Sequence, residues 1–397
     1  MRSLLTIEEA LARILEHAQP LPVETVPVAD AAGRVLREAA LSRTDLPPFA
    51  SSAMDGFAVR SAETPGELPV AFRVAAGAPA PRPLPAGAAA GIATGGAVPD
   101  NADAVIPMER VVDHGDRVQI DISVASGQHI RPRGGDVRDG DTVVGAGARV
   151  AAAQIGALAA AGVAELRCSV RPRVAVLATG SELVPAGKPL ALGQIYESNR
   201  AMIAAVLRGT GADVDVLAVV EDDESAHRTA LERGLAADVL VTSGGVSMGQ
   251  HDLVRRVATD LGVEEVFWGV AVKPGKPLSF GVRGSTLVFG LPGNPVSSLV
   301  GSLVFVRPAL LALQGCSSVD PAYEHGLAAT QLTQNPDRDE FVRARRRPGS
   351  DAVHLEPVSG QESHMIVRAA SADALVHVAR GEGQIAAGAP VRYLKLD

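Results

Sequence analysis

Aromatic side chains are scarce in this sequence of 397 residues, where Phe, Tyr and Trp together make up 3% of the chain. Proteins that bind single-stranded nucleic acid usually stack the bases on several exposed aromatic rings. The net charge is -8, so the chain has no general excess of positive charge to neutralise a phosphate backbone. We therefore expect no nucleic-acid partner.

Cysteine and lysine are also rare. The two cysteines are far apart and lack a CxxC context, so neither a zinc site nor a disulfide framework is expected, and a reducing, cytoplasmic location fits. The only lysines are Lys188, Lys273, Lys276 and Lys395. Two of the four are three residues apart in one loop, which is a first indication of a binding site.

Long uninterrupted apolar runs are absent as well. The most apolar stretch, residues 296–313, contains Arg307 and Pro308, whereas a membrane span needs about 20 apolar residues. It predicts a buried helix and no membrane partner. Charged residues interrupt the N-terminal segment, so we expect no signal peptide. Thr6 and Glu9 instead predict a capping box at the start of an amphipathic helix.

Four regions differ in composition and pattern. Residues 1–45 and 140–170 carry helical and short extended segments and together form a predicted linker domain. Residues 46–139 are rich in turns and short strand-like runs, which predicts a β-rich domain inserted into the first. Residues 171–317 alternate strands and helices. Residues 318–397 predict a small C-terminal β domain that resembles a barrel.

The third region predicts an α/β domain. Its apolar strand segments are RVAVLATG, DVDVLAVV, ADVLVTSGG and TLVFGLPGNP, and its helices are predicted at 199–208, 223–235, 252–261 and from 296 onward. Continuous apolar strands that alternate with helices indicate a mostly parallel sheet in three layers, covered on both faces. Ligands of such sheets bind beyond the carboxyl ends of the strands.

Three strand ends in this region share glycine and serine, and the third also contains two prolines. Glycine lets the backbone approach a ligand, and helix N-termini favour anions. Any one loop could be an ordinary turn, but three at one sheet edge predict an anion site. No Walker motif or GxGxxG is present. The candidate binding residues are Ser181, Ser243, Gly244, Gly245, Ser247, Pro292, Gly293, Asn294, Pro295 and Ser297.

Charged residues accompany these loops. Lys273 and Lys276 lie in a loop with two prolines and suit phosphate or an oxyanion, although two exposed lysines on a turn are the simpler alternative. Glu182, Asp222 and Asp252 follow strand ends and suggest Mg²⁺, which commonly bridges carboxylates and substrate phosphates. For Asp222 and Asp252 a role as helix N-cap is about equally plausible.

Two further groups of polar residues are ambiguous from chemistry alone. In the β-rich insert, Asp55 is a candidate acid within a turn, and Arg131 or Arg133 is a candidate anion contact. In the C-terminal region, arginines cluster at Arg343, Arg345, Arg346 and Arg347. We interpret this cluster as a solvated strand face, with contact to a partner as the alternative.

Several strings of this sequence closely resemble the molybdopterin molybdenumtransferase family, which includes MoeA and the E domain of gephyrin. The matching strings occur in the family's order between about residues 45 and 300. They are PPFASSAMDGFAVR, ATGGAVPDNADAVIPME, IRPRGGDVRDGD, ATGSEL, IYESNR, TSGGVSMGQHD, KPGKP and GLPGNPVSS. The combination is specific, although TSGG alone is shared with related pterin-binding domains.

The resemblance implies an elongated homodimer of four-domain chains with a central domain of the molybdopterin-binding type. It also implies insertion of molybdate into adenylylated molybdopterin, with release of AMP and assistance from Mg²⁺. Carried over by position, the site residues of the insert are Asp55, Thr94 and Asp136. Those contributed by the other subunit are Glu182, Asp222, Asp252, Lys273, Lys276, Pro292, Pro295 and Ser363. A molybdopterin adenylyltransferase and apo-molybdoenzymes are possible further partners.

The sequence departs from the family pattern at Gly269, where some members place a Lys directly after the aromatic residue. Two rival functions remain. Adenylylation of molybdopterin needs little beyond the α/β domain, so the insert and the C-terminal domain argue against it. A non-catalytic scaffold that binds pterin would not need the set of acids and lysines. The preference for molybdate or tungstate is left open by the sequence.

Overall fold

The computed structural model describes residues 4–220, 223–245 and 253–396 of the chain. The chain begins with α1 (Ile7–His17), β1 (Val23–Pro27), a 3₁₀ turn (Val28–Asp30) and β2 (Ala40–Leu41). The hydroxyl of Thr6 accepts a hydrogen bond from the Glu9 backbone at 3.1 Å, and the Glu9 carboxylate accepts one from the Thr6 backbone at 2.8 Å. The predicted capping box is confirmed.

The insert contains eight strands within the described residues. They are β3 (Ser51–Ser52), β4 (Gly56–Val59), β5 (Gly66–Val74), β6 (Ala89–Ile92), β7 (Ala104–Pro107), β8 (Val111–Asp113), β9 (Arg117–Ile120) and β10 (Ile130–Arg131), with 3₁₀ turns at Ser61–Glu63 and Met108–Arg110. Six form one sheet in the order β7-β4-β6-β5-β9-β8, and β3 pairs with β10. Apolar side chains pack on both faces of the sheet, so the insert has its own core.

After the insert the chain pairs with its own beginning. The next elements are β11 (Thr142–Val144), α2 (Ala152–Ala160) and β12 (Glu165–Ser169). β11 is antiparallel to β2, and β12 is antiparallel to β1. Helix α1, in contrast, packs its apolar face into the core of the α/β domain. The exact boundaries of the four domains stay predictions.

The α/β domain is built around a six-stranded sheet. Its elements are β13 (Arg173–Ala178), β14 (Leu183–Val184), β15 (Ile195–Tyr196), α3 (Asn199–Arg208), β16 (Asp213–Val216), α4 (Glu224–Gly234), β17 (Val239–Ser243), α5 (Leu253–Asp260), β18 (Glu264–Trp268), β19 (Val272–Lys273), β20 (Ser279–Arg283), β21 (Thr286–Leu291), α6 (Pro295–Gly301) and α7 (Arg307–Leu313). The strand order is β16-β13-β17-β21-β20-β18. The first four are parallel, which confirms the predicted class, and β20 and β18 are antiparallel.

Alternate residues along β13 show why this domain has three layers. Val174 and Val176 pack on one face together with α1, α3 and the helix that follows β21. Ala175 and Leu177 pack on the other face with α4 and α5. Because side chains of a strand point alternately to opposite faces, a strand with no polar alternation must be covered on both sides.

The helical stretch Pro295–Leu313 is long and apolar enough to cross a membrane by length and composition, but 83% of it is buried inside the protein. This is the packing of a core helix, as the sequence predicted. Its middle part, Ser302–Val306, is π-helical and separates α6 from α7. Pro308 lies just after this wide turn, where its missing N–H would interrupt an ordinary helix.

The C-terminal domain is a closed barrel. Its elements are β22 (Tyr323–Ala328), β23 (Leu332–Thr333), β24 (Asp339–Pro348), β25 (Val353–Pro357), α8 (Ile366–Ala369), β26 (Ala374–Val378), β27 (Gln384–Ile385) and β28 (Pro390–Lys395). The ring β24-β25-β22-β28-β26 closes because β26 also pairs with β24. Phe341, Leu375 and Leu394 belong to the main core of the α/β domain, so the barrel is firmly attached.

Candidate functional site

A cleft of about 1040 Å³ lies at the carboxyl ends of the parallel strands. It is the position where a ligand is expected in such a sheet. Nine of the predicted site residues line it. They are Glu182, Ser243, Gly244, Gly245, Lys276, Pro292, Gly293, Asn294 and Pro295. The loops after β13, β17 and β21 therefore meet in one place, as the sequence suggested for an anion site.

Asn199, the first residue of α3, ties two of these loops together. Its side-chain amide donates to the Ser243 hydroxyl at 2.8 Å and to the Gly293 carbonyl at 2.7 Å. The buried Ser298 hydroxyl donates to the Pro292 carbonyl at 2.5 Å and lies 3.3 Å from the Ser243 hydroxyl. The network is neutral. It fixes the floor of the cleft without placing a charge there.

Gly244 lets the loop after β17 approach the loop after β13 closely. Its φ is +90°, and a Cβ at this position would lie 2.9 Å from the carbonyl oxygen of Thr179. A side chain would therefore clash with backbone, and the positive φ itself disfavours any residue but glycine. Glycine is required at position 244 because of packing within the protein. With glycine there, the backbone N–H groups of the loop lie near the cleft.

The C-terminal barrel supplies the opposite wall. His364 and Ile366 line the cleft, and Ser363 lies beside it. The Ser363 hydroxyl accepts from the Asn294 side chain at 2.8 Å, and its carbonyl accepts from the Val296 backbone at 3.0 Å. The Val296 N–H belongs to the first turn of the helix that starts at Pro295, so Ser363 satisfies one of its unpaired donors.

The prediction that the arginine cluster forms a solvated strand face is wrong for Arg343, which is completely buried. Its guanidinium donates to the carbonyls of Gly360 at 2.6 Å, Met365 at 3.0 Å and Glu362 at 3.2 Å. Burial lowers the pKa of this guanidinium. Arg343 thus holds the loop that carries Ser363, whereas Arg345 and Arg347 are exposed. Charge spacing alone does not reveal a ring of carbonyls around an arginine.

The two lysines of the proline-containing loop lie in different surroundings. Lys276 lines the cleft. The Lys273 ammonium instead lies 3.0 Å from the Glu340 carboxylate of the barrel. Among the described residues, therefore, Lys276 is the lysine that faces the cleft directly.

Two acidic side chains among the described residues line the cleft, those of Glu182 and Glu197. Glu182 is exposed and lines the cleft, and Glu197 is paired with Arg200 at 2.9 Å. Asp222 and Asp252, the other two predicted metal ligands, lie outside the described residues, as does Ser247. The N-cap of α4 is Asp223, the neighbour of Asp222. Within the described ranges no group of three or more His, Cys, Asp or Glu could hold a metal ion.

The insert carries its own pair of polar residues. The Asp55 carboxylate accepts from the Thr94 backbone at 2.7 Å and from the Thr94 hydroxyl at 3.0 Å. These two bonds, the backbone bond first, hold the pKa of Asp55 below its ordinary value. Asp55 is therefore an exposed, ionised carboxylate near neutral pH. The sequence placed both residues at the site by resemblance only.

The remaining predicted residues lie away from the cleft lining. Asp136 is exposed on the insert, and Arg133 there is paired with Asp45 at 2.5 Å. Ser297 is buried in α6. Ser181 is exposed beside Glu182. The roles assigned to the residues of the cleft and of the insert stay predictions.

Asn199, His227 and Trp268 are among the cleft residues that sequence reasoning missed. Asn199 lies within the motif IYESNR, but its amide as a bridge between loops was not predicted. His227 on α4 is buried and lines the cleft. Its Nδ1 lies 2.8 Å from the Asp223 carbonyl oxygen and is the donor of this hydrogen bond, because a carbonyl can only accept. Trp268, the only tryptophan, lines the cleft at the end of β18. Its rarity was the one signal that pointed to it.

Comparison with known proteins agrees with this architecture. Three family models match in order: the MoeA N-terminal region (domain I and II) over residues 5–162, a probable molybdopterin binding domain over 175–312, and the MoeA C-terminal region (domain IV) over 326–396. The molybdopterin biosynthesis moeA protein from Pyrococcus horikoshii OT3 superposes with a TM-score of 0.85 at 27% identity. That comparison covers 99% of this chain and 100% of the other.

Two curated relatives are similar over nearly their full lengths. Molybdopterin molybdenumtransferase 2 from Mycobacterium tuberculosis (strain ATCC 25618 / H37Rv) is 36% identical and both chains are covered completely. Molybdopterin molybdenumtransferase from Haemophilus influenzae is 34% identical, with 98% of each chain covered. Fold and cleft define a four-region enzyme built on a molybdopterin-binding α/β domain. The chain belongs to the molybdopterin molybdenumtransferase family.

The glycine at position 269, where some members of the family have a lysine, has a structural reason. Its φ is +89°, and a Cβ there would lie 2.7 Å from the Leu4 side chain. A lysine at this position would therefore strain the backbone and displace Leu4. The chain therefore has no lysine side chain at the position that follows the cleft-lining Trp268.

Proposed function

We propose that this chain inserts molybdate into adenylylated molybdopterin, with release of AMP. The observation that carries the proposal is the cleft at the strand ends, where three glycine-containing loops meet Lys276 and Glu182. Such loops suit the phosphates of the substrate, and a lysine suits phosphate or an oxyanion. The names of the full-length relatives support the same reaction.

The roles of the side chains follow from their surroundings. Lys276 neutralises negative charge that gathers on the phosphate and molybdate oxygens as the pyrophosphate linkage breaks and AMP leaves. Asn199 and Ser298 keep the loops fixed, so that no reorganisation is needed when the substrate binds. Asp55 is ionised and accepts hydrogen bonds, which suits a group that positions or activates the attacking atom.

Mg²⁺ belongs to this proposal as the assisting cation. Glu182 provides one exposed carboxylate in the cleft. Mg²⁺ is commonly held by one or two carboxylates together with substrate phosphates, so this donor fits the ion. When bound, Mg²⁺ would neutralise charge on the pyrophosphate linkage. Asp222 and Asp252 remain the other proposed ligands.

A homodimer with a shared site is a further part of the proposal. Asp55, Thr94 and Asp136 lie on the insert, and none of them lines the cleft of the same chain. Phe49 and Met54 beside Asp55 are exposed apolar side chains. A second copy that places its insert over the cleft would cover them and complete the set of site residues. We place this activity in the cytoplasm.

The experiment mixes the purified chain with adenylylated molybdopterin, Mg²⁺ and molybdate and measures AMP. We expect molybdate-dependent release of AMP and transfer of active cofactor to an apo-molybdoenzyme. Binding of pterin without AMP release would favour a scaffold. Consumption of ATP with non-adenylylated molybdopterin would favour an adenylyltransferase. Asp55→Ala and Lys276→Ala variants that keep full turnover would contradict the roles given above.

A further inference from the structure

The segment between the loop after β13 and helix α3 lines the cleft with apolar residues. We call this segment, residues 183–196, the ledge. Its strands β14 and β15 are parallel, with Leu183 opposite Ile195 and Val184 opposite Tyr196. Leu183, Ile195 and Tyr196 line the cleft, and the last two are exposed. One cleft therefore combines polar, glycine-containing loops with an apolar strip.

Tyr196 differs from the other two tyrosines of the chain in its exposure. Tyr393 is buried in the barrel and Tyr323 is half-buried, whereas Tyr196 is 48% exposed and lines the cleft. A buried aromatic ring contributes a large apolar area, and aromatic side chains commonly line ligand pockets. The ring of Tyr196 has much of this area left for contact with a ligand.

The position of the Tyr196 ring is fixed within the ledge itself. Its hydroxyl donates to the Lys188 carbonyl at 2.9 Å. On the same strand, the Ile195 N–H donates to the Glu182 carbonyl at 2.9 Å. Because the hydroxyl proton is used inside the ledge, Tyr196 offers the cleft chiefly its flat ring. A ring held in this way suits a ligand that is itself flat.

The ledge lies directly beside the loops proposed for the phosphates. It follows the loop after β13, whose Glu182 lines the cleft. Three residues after Tyr196, the Asn199 amide donates to the Gly293 carbonyl of the loop after β21 at 2.7 Å. Adenylylated molybdopterin carries an adenine and a pterin, two flat heteroaromatic rings joined through its phosphates. When the loops hold the phosphates, one of these rings is within reach of the ledge.

We propose that Tyr196 is a substrate-binding residue that stacks on a flat heteroaromatic ring of the substrate, the adenine or the pterin. The inference rests on the proposed function, because the substrate of that reaction supplies both rings. Stacking on a ring remote from the breaking bond acts equally in the bound substrate and in the transition state. Tyr196 therefore contributes affinity and leaves the chemical step unchanged.

The first test measures equilibrium binding to the intact chain by ligand NMR titration, without turnover. The probes are AMP, which carries adenine, molybdopterin, which carries the pterin, and ribose 5-phosphate, which carries neither ring. We expect Tyr196→Ala to weaken the binding of AMP or of molybdopterin at least about fivefold, the scale of a lost stacking contact. Binding of ribose 5-phosphate should stay within about twofold. Loss for AMP alone identifies adenine as the stacked ring, and loss for molybdopterin alone identifies the pterin.

Two control variants separate the ring from the rest of the ledge. Tyr196→Phe keeps the ring and loses the bond to Lys188, so binding should stay within about threefold of wild type. Leu192→Ala removes an exposed apolar side chain of the same ledge that does not line the cleft, and it should change no binding constant. Unchanged binding of both ring-bearing probes by Tyr196→Ala would overturn the inference. An equal loss for ribose 5-phosphate, or an equal loss in Leu192→Ala, would overturn it as well.

The second test separates KM from kcat in AMP release. We expect Tyr196→Ala to raise the KM for adenylylated molybdopterin at least about fivefold, with kcat changed less than about twofold. A loss of kcat at unchanged KM would overturn the inference. A wild-type chain that binds a ring-bearing probe through Tyr196 but releases no AMP would contradict the proposed function alone. A wild-type chain that binds neither AMP nor molybdopterin would overturn the inference, whatever its turnover.

Discussion

The two walls of the cleft are held in place by different chemistry. The α/β wall consists of loops at the ends of β13, β17 and β21, and neutral groups such as Asn199 and Ser298 connect them. The barrel wall consists of the loop between β25 and α8, and the buried charge of Arg343 holds it through three carbonyls. The sheet already aligns the first set of loops, so single neutral bonds suffice. The barrel loop leaves β25 beside β24, where the Val358 N–H and the Gln361 side chain bond to the Arg343 backbone and the Arg343 guanidinium reaches three carbonyls of the loop.

The largest effect is expected from Arg343→Met, which breaks the barrel wall. It leaves the carbonyls of Gly360, Glu362 and Met365 without their buried donor. We expect the free energy of local opening in the loop 358–365 to fall by about 3 kcal/mol. Hydrogen–deuterium exchange of that peptide measures it.

The control for the barrel wall is Arg345→Met. Arg345 lies two residues along the same strand, is exposed and donates to one carbonyl, that of Ser371, at 2.8 Å. We expect a change below about 0.5 kcal/mol there. Equal exchange in the two variants would mean that the buried charge does not hold the loop.

The next largest effect is expected from Asn199→Ala, which breaks the α/β wall. Both loops that Asn199 connects then lose a bond, and the Gly293 carbonyl loses its donor. We expect kcat/KM for AMP release to fall about tenfold to thirtyfold, since one or two neutral hydrogen bonds are lost. Ala201→Ser is the control, because Ala201 is an exposed residue of the first turn of α3 that does not line the cleft. A similar loss of kcat/KM in both variants would show that the substitution acts through the start of α3 and not through the bridging amide of Asn199.

A smaller effect is expected from Gly269→Ala, next to the cleft-lining Trp268. The positive φ and the contact with Leu4 should destabilise the chain by about 1–2 kcal/mol. Gly284→Ala is the control, with a φ of +58° and no atom within 4 Å of the added Cβ. Urea unfolding of both variants measures the difference. A more stable Gly269→Ala variant would contradict the explanation for the missing lysine.

The smallest effect concerns Thr94→Val in the insert. Loss of the hydroxyl removes the second donor to Asp55, so the pKa of Asp55 should rise, while the backbone donor, which is the larger cause of the lowered pKa, remains. A carboxyl whose pKa is lowered by folding stabilises the folded chain at pH values above its ordinary pKa. This stabilisation is lost as the pH falls through the pKa of the folded state. The acid side of the activity profile should therefore move to higher pH. NMR titration of the carboxyl measures the shift, and the pKa of Asp113, which the Gly115 backbone and then Arg73 lower, should stay unchanged.

The fold was predictable where apolar residues repeat regularly. Helix 199–208 and the strand segments of the parallel sheet were found because each has a continuous apolar face. The antiparallel strands β18 and β20 were missed, because Glu264 and Glu265 begin the first and neither strand alternates clearly. The ring of barrel pairings depends on contacts between distant strands, which local pattern does not contain.

The site was predictable where glycine, proline and lysine cluster in loops. The residues that hold those loops were not. Asn199 and Arg343 act through backbone carbonyls, and a carbonyl leaves no mark on the sequence. The separation of Lys273 from Lys276 likewise depends on a glutamate 67 positions further along the chain than Lys273.

The π-helical turn at Ser302–Val306 constrains how this chain can change in length. A residue added to or removed from a helix rotates everything beyond it by about 100°. The π-helical turn takes up one residue more than an α-helical turn, so a single deletion within it would convert it to an ordinary helix and leave Leu310 and Leu313 facing the core. A deletion elsewhere in Pro295–Leu313 would instead rotate these side chains away from the core. In evolution, this segment should therefore lose a residue more readily at Ser302–Val306 than in the turns on either side.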